Sequence, residues 1–142
     1  MNHHTKDKGD LGVLKIKCDL CSKGYMILSP ETEHAPFDLV AYKNKKFIKI
    51  QVKYRAVGKS GTITVSLKTC WNDKKGTHIK KYDLDEIDLV AVFCPDTNEC
   101  YYFDPKETPE NITLRVDSPK NNQQKNISLA KNFLSIPLSF NG

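Results

Sequence analysis

Asp38, Gln51 and Lys53 are the residues whose types and spacing can do chemistry together. They lie within Pro36 to Arg55, which reads as two short strands joined by a hairpin at Lys43-Asn44-Lys45-Lys46. The first strand begins at Asp38. The second alternates with period two: Ile48, Ile50 and Val52 fall on one face as core, and Phe47, Lys49, Gln51 and Lys53 fall on the other. An acid at the start of one strand thus lies beside a Gln and a Lys projecting from its neighbour. A carboxylate, an amide oxygen and an ammonium so placed can hold a divalent cation against a phosphate. Without further support, three such residues on alternating strands are ordinary surface.

The charge distribution supplies some of that support. Between Ala41 and Lys81 there are twelve Lys or Arg and a single acid, Asp73, for a net charge of +11; the rest of the chain carries −6. A solvated lysine face is the usual meaning of a charge run. Here the run is interrupted by strand-like apolar positions and contains the chemical residues, which favours a phosphate-binding surface. Arg55, Lys59, Lys68, Trp71, Lys74, Lys75, His78, Lys80 and Lys81 are the candidate nucleic-acid contacts within it. Trp71 can stack or anchor a rim, and His78 suits a phosphate-facing or structural role better than that of a general base. No Gly-rich phosphate loop, nucleophile elbow or HExxH motif is present, so other common catalytic classes lack support.

Pro36 and Asp38 followed by Gln51-Val52-Lys53 resemble the signature of PD-(D/E)xK nucleases, an acid near a proline and then a strand ending acid-x-Lys. The longer stretch Thr32 to Tyr42 (Thr-Glu-His-Ala-Pro-Phe-Asp-Leu-Val-Ala-Tyr), with Gln51 to Arg55, resembles one branch more specifically. That branch includes the small homing endonuclease of a cyanobacterial group I intron and is known for Gln in place of the second acid. The resemblance spans roughly Gly9 to Asp104.

The resemblance implies an α/β fold with a restriction-endonuclease-like core: a mixed central sheet, an N-terminal helix and β-hairpin extensions. It implies a metal-dependent endonuclease that hydrolyses phosphodiester bonds in a long double-stranded DNA target, with Mg2+ as cofactor and Mn2+ able to substitute. Asp38 would be the first metal ligand, with the Gln51 amide oxygen and the Val52 carbonyl beside it. Lys53 would hold the attacking water or stabilise charge developing on the phosphate. One site per chain implies a homo-oligomer, dimer or tetramer, for cutting both strands.

Two departures weaken the match. Gln51 carries no charge. Relatives often place a Glu on the first helix shortly after Lys-Gly-Asp; here Lys8-Gly9-Asp10 is present but Val13 occupies the aligned position. Asp10, one helical turn earlier, is the candidate replacement, although a first-turn acid is also favoured by the helix dipole alone. Glu31 and Glu33 in the following loop are further candidates. A Holliday junction resolvase, a restriction-type nuclease of the same fold, and a DNA-binding module that has lost catalysis are the rival readings.

The elements that must position these residues follow from pattern. A chain of 142 residues suits one domain, residues 1–142. A helix is expected from near Lys6–Gly9 to a stop at Lys23-Gly24, burying Leu11, Leu14, Cys18 and Cys21 along a stripe widened by Val13, Ile16 and Leu20. On that stripe Cys18 and Cys21 read as small core residues rather than metal or redox ligands. Tyr25 to Leu28 should be a strand, and Thr62 to Leu67 a strand of a ribbon with one wet face, able to enter a major groove. Lys68 to Lys81 reads as a loop or strand edge over the nucleic acid. Leu89 to Phe93 is continuously apolar, as at a sheet centre buried on both faces. Cys100 to Phe103 should return antiparallel to it, with Cys94 and Cys100 facing each other across the turn. A short strand at Ile112–Val116, a mobile loop at residues 118–126, a short helix at Leu129–Leu134 and an apolar tail complete the chain. Five cysteines and the lack of a recognisable leader or membrane-length segment lead to the expectation of a cytoplasmic, nucleoid-associated protein without membrane contact.

Overall fold

The structure, a computed structural model, describes residues 4–108, 110–117 and 128–140, the side chains of residues 69–71 excepted. The loop expected at 118–126 lies outside the described residues. Helix α1 (Thr5–Ser22) comes first, capped by His4, whose ring accepts from the Lys6 N–H at 3.3 Å. It stops before Gly24, whose φ of +89° places it in the left-handed region where glycine is favoured.

The face that α1 buries matches the expected one only in part: Ile16 and Leu20 are buried and Leu11 and Val13 pack beside them. Gly12, Ile16 and Leu20, spaced four apart, are its buried residues, while Leu14 is 61% exposed and Cys18 and Cys21 are exposed. Gly12 faces the sheet, where a β-carbon would sit 3.5 Å from the Tyr54 Cβ and 3.7 Å from a Val52 methyl, ordinary contact distances. The Gly12–Ile16–Leu20 row, rather than the most apolar stripe, is the one laid against the strands.

The helix packs on a five-stranded sheet of β1 (Met26–Leu28), β2 (Leu39–Lys43), β3 (Lys46–Tyr54), β7 (Leu89–Cys94) and β8 (Glu99–Phe103), in that spatial order. All neighbours are antiparallel except β3 and β7, so the sheet is mixed. The β2–β3 hairpin turns at Asn44 and Lys45, with φ of 52° and 68°, the pair of positive values that matches the twist of the flanking strands. Strand β7 is buried along its whole length, as its apolar run requires. Its alternate residues serve two cores. Leu89, Ala91 and Phe93 face α1 with Ile48 and Ile50. Val90, Val92 and Cys94 face the opposite layer.

That layer is a three-stranded sheet in the order β10 (Ser128–Leu129), β9 (Asn111–Arg115), β4 (Thr62–Ser66). Ile63 and Val65 of β4 are fully buried against β7 and β8. Thr62–Leu67 is therefore core sheet and not the groove-reading ribbon. The free two-stranded ribbon is instead β5 (Lys68–Asp73) with β6 (Gly76–Lys81), the segment expected as a loop or strand edge. Cys94 and Cys100 do not face each other: Cys94 is registered with Glu99 and Cys100 with Phe93, and the two thiols belong to opposite cores. At the C-terminal end, Ala130–Phe133 forms a 3-10 turn and Ile136 is buried beside α1, while Leu138 is 85% exposed. Among the described residues no helix is long and apolar enough to cross a membrane.

Candidate active site

Antiparallel register places Leu39 opposite Ile50, so Asp38, at the mouth of β2, meets β3 near Gln51. The Asp38 N–H donates to the Ile50 carbonyl at 2.9 Å. Its side chain then turns back onto β3. One carboxylate oxygen, Oδ2, accepts from the Val52 N–H at 2.8 Å and from the Gln51 Nε2 at 3.0 Å. The other oxygen has no protein partner among the described residues. Partial burial raises the Asp38 pKa; the Val52 hydrogen bond and the positive charge of Lys53 act in the opposite direction and do not offset it.

Gln51 and Lys53 are registered with Val90 and Val92 of β7 and share their face, the one covered further along by the small sheet. The Lys53 ammonium donates to the Tyr82 hydroxyl. Tyr82 follows the ribbon directly, and its own N–H donates to the Leu67 carbonyl at 3.2 Å. The ribbon and the lysine of the site are thereby joined through one side chain. Tyr82 was not foreseeable from the sequence: a contact between residues 53 and 82 depends on the tertiary fold.

Asp38, Gln51, Val52 and Lys53 are thus brought together. Asp10, Glu31 and Glu33 are exposed, and among the described residues no three His, Cys, Asp or Glu side chains converge on one point. Val13 packs against the core on the helix side. Asp38 is the carboxylate that the hairpin brings beside Gln51 and Lys53.

The expected DNA contacts divide into groups. Lys74 and Lys75 form the exposed turn of the β5–β6 ribbon, and Lys80 is exposed on β6. Lys68 and Lys81, registered opposite each other at its base, both bind Glu110, each at 2.5 Å. These two ion pairs, the Lys68 hydrogen bond first, lower the Glu110 pKa to about 2. His78 pairs with Asp73 at 2.9 Å across the ribbon. Trp71 lies on β5, and its side chain is outside the described part. The Arg55 guanidinium donates to the Tyr54 carbonyl at 2.8 Å, and Lys59 sits in the turn before β4.

An N-terminal helix on a mixed sheet, with a carboxylate and an x-Lys pair on one hairpin, is the core of the PD-(D/E)xK nucleases. Residues 3–136 match the PD-(D/E)XK endonuclease family, and the chain belongs to it. Among solved structures it is similar to a bacterial homing endonuclease, with a TM-score of 0.78 at 18% identity, covering 92% of this chain and 88% of that one. It is also similar to the Holliday junction resolvase Hjc of Archaeoglobus fulgidus, with a TM-score of 0.46 at 16% identity, over 76% of this chain and 84% of that one. No curated protein sequence matches it significantly.

Proposed function

We propose that the protein is a Mg2+-dependent, site-specific DNA endonuclease of the homing type, acting on duplex DNA as a homo-oligomer. The observation that carries this is the fixed Asp38 carboxylate, with one oxygen held by the Val52 N–H and the Gln51 amide and the other without a protein partner among the described residues. A partly buried carboxylate with raised pKa favours a cation at its open oxygen. Because Gln51 donates its nitrogen to Asp38, its amide oxygen is the group left over for a ligand. In a strand the N–H and C=O of one residue face the same neighbour, so the Val52 carbonyl faces the side of Asp38. Three oxygens thus fit Mg2+, which commonly takes one or two carboxylates and completes its shell with water and phosphate.

When bound, the ion supplies charge neutralisation and a water of lowered pKa. The chain's own residues do the rest. Asp38 and Gln51 orient each other, Lys53 neutralises charge developing on the phosphate, and Tyr82 fixes where the Lys53 ammonium waits. The ribbon and the hairpin lysines supply contact to the DNA backbone.

Lys53→Ala tests the proposal. DNA cleavage with Mg2+ or Mn2+ should fall by about a hundred- to a thousandfold, while binding in chelator persists. That no three His, Cys, Asp or Glu side chains converge among the described residues favours a second reading, a DNA-binding module without catalysis. If the parent protein never nicks DNA with either ion, that second reading replaces the first.

A further inference from the structure

A cleft of about 560 Å³ opens at the end of the small sheet away from Tyr82, lined by the Gly58–Gly61 turn, Arg115 and Asp117. The turn closes by a 3.0 Å hydrogen bond from the Gly61 N–H to the Gly58 carbonyl, and Gly61 has a φ of +74°. Its two central residues, Lys59 and Ser60, point their N–H groups at no acceptor among the described residues. Arg115, opposite Thr62 at the end of β9, has a buried Nε with no hydrogen-bond partner among the described residues. That nitrogen is closed off from solvent, so a ligand in the cleft would meet Arg115 through the outer nitrogens of its guanidinium. Asp117 rims the cleft near Gly61 but forms no ion pair with Arg115.

The position relates the cleft to the active site. Strand β4 runs from the cleft at Thr62 to Ser66, beside Leu67, which binds Tyr82, which in turn binds Lys53.

We propose that this cleft holds a backbone phosphate of the bound DNA, distinct from the phosphate at Lys53. The inference rests on the nuclease reading above and adds a second anchoring point to it. The donors are the Arg115 guanidinium, the Lys59 ammonium and the two turn amides. No aromatic ring lines the cleft for base stacking, so the contact positions the strand rather than reading sequence. Lys59 and Arg115 against Asp117 leave one net positive charge. That balance matches the single charge of a phosphodiester better than the higher charge of free inorganic phosphate.

The test is equilibrium binding of a fluorescein-labelled, mixed-sequence duplex in chelator, between about 50 and 200 mM salt. Arg115→Gln and Lys59→Gln should each weaken binding and each reduce the slope of log affinity against log salt by about one. Asp117→Asn should tighten it. Lys59 lies on an exposed turn, so its variant decides the matter even if Arg115→Gln fails to fold by circular dichroism. If the wild type binds the duplex and Lys59→Gln leaves the slope unchanged, the phosphate site is wrong and the nuclease reading stands. If the wild type binds no duplex, both fall. If inorganic phosphate competes with the duplex at this site as strongly as a phosphodiester-containing dinucleotide does, the cleft is a free-anion site and the proposal fails.

Discussion

At the scale of single residues, Asp38 is held by two donors through one oxygen while its burial works against its charge. The folded pKa lies above the ordinary 3.8. Between the unfolded and folded values the native state keeps a proton that the unfolded chain has lost. Stability referenced to acid therefore declines as pH rises from about 3.8 through the folded value, then levels off. Asp38→Asn removes that decline. In chelator, its melting temperature should match the wild type at acid pH and exceed it at neutral pH, with cleavage lost at every pH. Mg2+ should reverse the order at neutral pH by raising the wild type alone, by about 2.7 kcal/mol at a hundred times the dissociation constant. Thermal unfolding with and without Mg2+ checks both. A wild type whose unfolding ignores Mg2+ argues against Asp38 as a metal ligand.

At the scale of elements, the ribbon's base is clasped by Glu110 between Lys68 and Lys81. The Glu110 pKa is lowered from 4.5 to about 2, so its contribution is complete above 4.5 and is lost as pH falls toward about 2. Glu110→Gln should lower the melting temperature at neutral pH, with the gap closing in acid. Because Glu110 is exposed, the gap should also shrink in high salt. A gap indifferent to both pH and salt would mean that the clasp contributes nothing electrostatic. A β-carbon at Gly12 meets Tyr54 and Val52 at ordinary contact distance, so Gly12→Ala should stabilise the fold by up to about 1 kcal/mol through helix propensity, measurable by urea unfolding.

The same elements show what was legible in the sequence. The β2–β3 hairpin was, because period-two alternation, an Asn-Lys turn and the Asp38–Gln51 spacing all agree at short range. So was β7, from its unbroken apolar run. The seam of α1 was not, since Gly12 has no hydropathy to announce it and Leu14, Cys18 and Cys21 do. The ribbon was obscured because neither face of Lys68–Lys81 is apolar enough to show a period; its pairing comes from a two-residue turn and cross-strand register. Of the site, Asp38 just before β2 and the three residues on β3 were readable as neighbours. Tyr82, Glu110 and Arg115 were not, because each acts on a residue or strand brought near only by folding.

At the scale of the whole molecule, each chain carries one Asp38–Gln51–Lys53 set, and a duplex has two strands of opposite polarity. A symmetric pair of chains is the simplest way to present two sites to them. The basic block is suited to this: it lies on the β2–β3 hairpin and the β5–β6 ribbon, while the remaining residues are net acidic. Two chains meeting through their basic regions would repel, so DNA between those regions favours assembly by neutralising them. Mixing separates this from independent action by single chains. Wild type combined with an excess of Lys53→Ala should form mixed assemblies holding one competent site. On a plasmid bearing the target, such mixtures should accumulate nicked circles, and the linear product should fall as the square of the wild-type fraction. A monomer making two unconnected cuts would instead yield linear DNA at a rate set by the wild-type amount alone, with the variant acting only as a competitor for the site.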